Sequence, residues 1–180
     1  MSGNNILLFF IALSITGCQR DKKAGPTKDT LFELIPSEVS GLGFINKITN
    51  EKDLNIFLYR NFYNGGGAGI GDINNDGLAD IYMVSNLEEN KLYLNLGDFR
   101  FKDITASSGT AGKRAWSTGV TMVDINADGL LDIYVSNAGN EWSDNRKNEL
   151  FMNNGDLTFS EKAEEYGLAD NGLTTHTAFF

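Results

Sequence analysis

The sequence predicts an all-β fold made of repeated four-stranded antiparallel units, and three observations predict it. A loop with oxygen-bearing side chains at alternate positions is written twice, as GDINNDGLAD over 71–80 and VDINADGLLD over 123–132. The residues that follow each loop recur in the same order. Glycine is abundant, 20 residues of 180 against two prolines, with no collagen-like period and no helical apolar stripe of useful length, which indicates short strands joined by tight turns.

The remaining composition narrows the function classes. With 41% hydrophobic and 22% charged residues the chain is ordinary for a folded domain. Its formal net charge of −9 argues against a nucleic-acid partner on electrostatic grounds. Much of the acidic excess lies in the two repeated loops, so a cation is its natural counterpart.

Taken in order, residues 1–17 carry no Lys, Arg, Asp or Glu, and Ile6 to Ile15 is an essentially apolar run of ten. That run is too short to span a bilayer and has the length of a secretory h-region. It ends in LSITGC, with charges beginning at once at Arg20. This resembles a bacterial lipoprotein signal in which Cys18 is lipidated and becomes the new N-terminus. Such a signal implies export and a lipid anchor at the outer membrane or cell surface. Cys18 is the single cysteine, so no internal disulfide is available. Residues 18–30 then read as a polar tether.

Apolar residues return over 31–62, where alternation in LFELIPSEVSGLGFINKI and in NIFLYRN (55–61) predicts short strands, interrupted at Pro36. Asn64-Gly65-Gly66-Gly67 marks a turn. The repeats follow, the first over 63–115 and the second over 116–172. Asp72 and Asp124 are offset by 52 residues, whereas NKLYLN (90–95) and NELFMN (148–153) are offset by 58, so six extra residues of the second copy fall within 138–147. Residues 173–180 read as the start of a third copy. Strands are expected at 68–71, 81–86, 91–95 and 99–103 and at their counterparts, and a helical turn only near 160–166. Four strands per unit of roughly fifty residues is the size of a β-propeller blade, with a sandwich of hairpins as the competing arrangement.

The loops themselves have the form D-x-N-x-D-G-x-x-D. Positions 1, 3, 5 and 9 supply side-chain oxygens, position 7 a backbone carbonyl, and the glycine at position 6 a sharp turn. Those are the requirements of Ca²⁺, a hard cation that takes six to eight oxygens. The first site is expected from Asp72, Asn74, Asp76, the Leu78 carbonyl and Asp80, and the second from Asp124, Asn126, Asp128, the Leu130 carbonyl and Asp132. Neither loop is an EF-hand, because position 12 is Met83 or Val135 rather than a glutamate. The alternative is an Asx-rich turn whose carboxylates cap backbone N–H groups without metal.

At these residues the chain resembles the FG-GAP/VCBS repeat family, β-propellers that include the integrin α-chain head and carry calcium loops between the strands of a blade. GGGAGIGDINNDGLADIY with NKLYLNLGDFRFKDIT, and their second copies, are similar to bacterial secreted VCBS proteins related to cartilage acidic protein. The resemblance covers 63–180 and implies a calcium-stabilised, non-catalytic scaffold that binds a protein or glycan ligand. It also implies a ring of at least four blades, so the chain is expected to be the N-terminal part of a longer protein. A propeller enzyme acting on carbohydrate, and a nonfunctional truncated product, are the alternatives. Trp142, within the insert of the second copy, is a candidate partner contact. Trp116 is expected in the core, and His176, the single histidine, at a blade surface.

Overall fold

A computed structural model describes residues 31–113, 116–139 and 146–180. The expected signal, Cys18, the tether and Trp142 lie outside the described residues. Contacts divide the chain into Met1–Leu34 and Ile35–Phe180, and the second unit holds all regular structure among the described residues.

Two four-stranded antiparallel sheets form as simple meanders. The first is β1 (Ala68–Gly71), β2 (Asp80–Met83), β3 (Lys91–Asn95) and β4 (Phe101–Asp103), and the second β5 (Ser117–Val123), β6 (Asp132–Asn137), β7 (Glu149–Asn153) and β8 (Phe159–Glu161). Corresponding residues pair in corresponding registers: Ile70 faces Ile81 and Tyr82 faces Leu92 in one sheet, Met122 faces Ile133 and Tyr134 faces Leu150 in the other. The fold is therefore all-β, with two blade-like repeats.

The sheets stack face to face. Tyr82, Val84 and Leu92 of the first share one apolar cluster with Val120, Ile133, Val135, Phe151 and Phe159 of the second. The glycines of the GGGAGIG segment permit this close approach. A Cβ on Gly71 would stand 2.7 Å from Leu131 Cδ1 and 2.8 Å from Met122 Sδ, and one on Gly67 3.2 Å from the Gly119 Cα. Every residue of β6 and β7 is buried, since the second sheet is covered on both faces. Its far face holds Tyr134, Leu150, Met152 and Ala163, with Leu168, Ala169 and Phe179 laid over them. The 173–180 segment runs along this face, where the Thr177 carbonyl accepts from Thr121 Oγ1 and the Thr174 carbonyl from Thr118 Oγ1.

Several expectations need correction. Residues 31–62 contain no strand. Pro36, which has no N–H to give a ladder, instead caps α1 (Ser37–Ser40), closed by Gly41 in the left-handed region. The Asn55 side chain accepts from the Phe57 and Leu58 amides and donates to the Glu51 and Lys52 carbonyls, winding NIFLYRN into turns. Its alternation builds no second face, for Phe57 is 93% exposed. Ile48, Leu54, Tyr59 and Phe62 pack inward around Trp116 and Ala138. β2 stops at Met83; β4 starts at Phe101 because Asp98 and Phe99 both take positive φ in the turn before it. The second short helix is α2 (Thr105–Ser108); of 160–166, the first two residues end β8 and the turns run over 163–167.

Candidate metal centre

Both acidic loops join the first two strands of a sheet, as their spacing requires. Each wraps around its first aspartate. Asp72 accepts the Asp76 N–H at 3.1 Å on Oδ1 and the Gly77 N–H at 2.8 Å on Oδ2. Asp124 does the same with Asp128 at 3.0 Å and Gly129 at 2.9 Å. Closing so tight a turn demands positive φ at two positions, taken by Asn75 (59°) and Gly77 (86°) and by Ala127 (59°) and Gly129 (87°). The glycine occupies the steeper of the two, where a Cβ is most costly.

The fifth position repeats as closely. Asp76 Oδ1 accepts from the Leu78 amide and Oδ2 from the Asn74 side-chain amide, matched by Asp128 with Leu130 and Asn126. The ninth position turns inward. Asp80 and Asp132 are each 0% exposed. Asp80 accepts the Ile73 N–H on one oxygen and the Asn95 N–H on the other; Asp132 accepts from Ile125 and Asn153. Burial pushes both carboxyls above the usual range, the backbone N–H bonds pull them back, and the other two aspartates of the same loop push them up again.

The structure thus brings Asp72, Asn74, Asp76 and Asp80 into one wrapped loop and Asp124, Asn126, Asp128 and Asp132 into another. Among the described residues no group of three Asp, Glu, His or Cys side chains is gathered as a ready-made metal cluster, the carboxylate oxygens being turned to N–H groups. The donor chemistry nevertheless fits a hard cation. Each loop holds three carboxylates, and among the described residues none of the six forms an ion pair with Lys or Arg. The Leu78 and Leu130 carbonyls accept no hydrogen bond among the described residues. The Asn74 and Asn126 amides, at 2.9 and 2.8 Å from the position-5 carboxylates, put N–H donors where the charge is densest. A half-turn of either amide presents its oxygen instead.

Asn95 and Asn153, not anticipated as site residues, clamp the ninth aspartate from the third strand of each sheet. Their signal is in the sequence: an asparagine ends both KLYLN and ELFMN, two residues before a glycine. The expected core residue Trp116 is buried against Tyr59 and Phe62, and His176 is exposed beside Gly119. Among the described residues no helix is long and apolar enough to cross a membrane.

Paired blade-like sheets, each with an acidic loop between its first two strands, define a class of β-repeat module. Residues 72–135, from the first loop into β6, match the FG-GAP-like repeat family. The chain is similar to cartilage acidic protein 1 of Xenopus tropicalis, 35% identical over 107 residues, which are 58% of this chain and 16% of that protein. It is also similar to the human protein of that name, 36% identical over 76 residues, 42% of this chain and 12% of the relative. The chain spans a small part of the length of these relatives.

Proposed function

We propose that the chain is a calcium-stabilised repeat module of a lipid-anchored, exported bacterial protein, serving as a binding scaffold and not as a catalyst. The observation that carries the calcium reading is the repeated set of three carboxylates, one wholly buried, around a turn, with no ion-pair partner and no hydrogen bond to the seventh carbonyl among the described residues. A bound Ca²⁺ supplies the positive charge that lets these oxygens converge without repulsion. The chain's own residues do the rest. Asp72 and Asp124 hold the turn closed, and Asp80 and Asp132 tie it to the core. Asn95 and Asn153 fix those two carboxylates from the neighbouring strand.

The anchor and the location at an outer membrane or cell surface rest on residues 1–18, and the absence of a catalytic role on the kinship with the FG-GAP-like repeats. A protein or glycan ligand is the partner we expect. Calorimetric titration of residues 19–180 with Ca²⁺ after EDTA treatment tests the central claim. Two sites per chain are expected, reduced to none by Asp76→Ala with Asp128→Ala. A folded chain that takes up no Ca²⁺ would leave the loops as Asx turns.

A further inference from the structure

The two acidic loops lie in different sheets, yet one side chain holds both. Asn153, at the end of β7, donates its backbone N–H to Asp132 Oδ1 at 2.8 Å, in its own sheet's loop. Its side-chain amide donates to the Leu131 carbonyl of that loop at 3.2 Å and to the Ile73 carbonyl of the other loop at 2.8 Å. The N–H of Ile73 in turn donates to Asp80 Oδ2 at 3.0 Å. A continuous relay therefore runs from Asp80 through Ile73 and Asn153 to Asp132. Its members are all 7% exposed or less, so each bond is made out of water, where losing it is most costly. The counterpart in the first sheet, Asn95, makes the same bonds within its own sheet, to Asp80 and Ala79. Among the described residues it has no second loop to hold. The one other direct link between the loops, from Asn75 Nδ2 to the Gly129 carbonyl, is exposed.

We infer that Asn153 is a positioning residue that makes the two loops a single cooperative unit, so that ordering one raises the affinity of the other for a divalent cation. The cation half of this statement rests on the calcium reading above; the mechanical half does not.

Both halves are tested on the full chain carrying Cys18→Ser in detergent. In EDTA, amide hydrogen exchange followed by mass spectrometry should show the 72–80 segment exchanging about tenfold faster in Asn153→Ala, although it lies in the other sheet. Asn153→Ser, which keeps an oxygen near the Gly155 N–H that Asn153 Oδ1 now accepts, should act the same way with less risk to folding. Asn95→Ala should leave 124–132 within about twofold of its original rate, and Asn75→Ala should change neither loop by more, because its bond is exposed. In a Ca²⁺ titration, Asp128→Ala should weaken the intact first loop about fivefold or more, and should lose that effect in the Asn153→Ser background. Exchange over 72–80 that ignores both Asn153 variants overturns the coupling, whether or not Ca²⁺ binds. An exchange response in a chain that takes up no Ca²⁺ supports the mechanical link and overturns the cooperative cation binding. Two sites with unaltered affinity in Asp128→Ala also overturn that binding claim.

Discussion

Removing calcium should shift the melting temperature by an amount that follows from the number of loops. A ligand present at about a hundred times its dissociation constant stabilises the folded state by about 2.7 kcal/mol per site, so two sites contribute about 5 kcal/mol. In a domain of this size 1 kcal/mol corresponds to about 2–4 °C. Scanning calorimetry should then place the calcium-loaded chain about 10–20 °C above the same chain in EDTA. Asp76→Ala and Asp128→Ala separate the metal's contribution from that of the turn. Both residues are exposed, and each gives up two hydrogen bonds near the surface, to Leu78 and Asn74 or to Leu130 and Asn126. Losing them is partly offset by relief of repulsion from the remaining carboxylates. In EDTA each variant should therefore lie within about 1 kcal/mol of the parent. In calcium each should lose half of the shift or more, since the remaining site is weakened as well, and the double variant all of it. A parent that melts at one temperature in both buffers would refute the reasoning, as would a double variant that keeps the full calcium shift.

Three further outcomes follow from packing and burial. A Cβ on Gly66 would sit 2.2 Å from the Val84 carbonyl oxygen, backbone against backbone, so Gly66→Ala should cost about 3 kcal/mol in urea unfolding. Gly69→Ala, which meets only side chains, the Val120 methyls at 3.3 and 3.4 Å and Met122 Cγ at 3.5 Å, should cost far less. Glu149 is 1% exposed, and burial raises its carboxyl above the usual range despite the Asn137 amide and the Lys113 N–H that it accepts. A raised folded-state value means that the native chain holds this proton after the unfolded chain has lost it, so stability falls as pH rises above about 4.5. Glu149→Gln should then raise the urea midpoint at pH 8 and lose that gain near pH 4.5; a gain that does not vary with pH would contradict the assignment. Ile70→Lys with Phe99→Lys, at side chains 69% and 70% exposed, should reduce binding of a hydrophobic dye while leaving the melting temperature within a few degrees, which the same two measurements check.

What was legible in the sequence is what local chemistry dictates. The alternating oxygens of Asp72 to Asp80, the glycine at the tight corner and the strands on either side are all fixed by neighbours within about ten residues; β1 falls where it is expected, and β2 ends three residues short. The segment 31–62 misled because LFELI and NIFLYRN alternate without a partner strand. Alternation reports a strand only where a second face exists to receive it, and here Asn55 offers the backbone a turn instead. α2 was missed because four residues carry no period. The clamp residues were hidden for another reason. The Asn153 to Ile73 bond joins positions 80 residues apart in sequence, and only the stacking of the sheets brings them together.

That stacking also explains why equivalent positions of the two repeats differ so much in exposure. A four-stranded sheet with apolar residues on both sides needs a neighbour on each. The second sheet has both: the first sheet on one face, and Leu168, Ala169 and Phe179 on the other. The first sheet meets its neighbour through Tyr82, Val84 and Leu92 and through the close approach of Gly67, Gly69 and Gly71. Its other face presents Ile70, Ile81, Phe99 and Phe101 around an open apolar hollow of about 700 Å³. In the second sheet the matching residues Met122, Ile133, Leu157 and Phe159 are the ones packed against the first. Ile70 is thus exposed at the position where Met122 is covered, although the two occupy one register of one repeat. Burial in this fold is set by the neighbouring sheet and not by the strand's own sequence, so the pattern within a single repeat cannot reveal which of its faces is the interface.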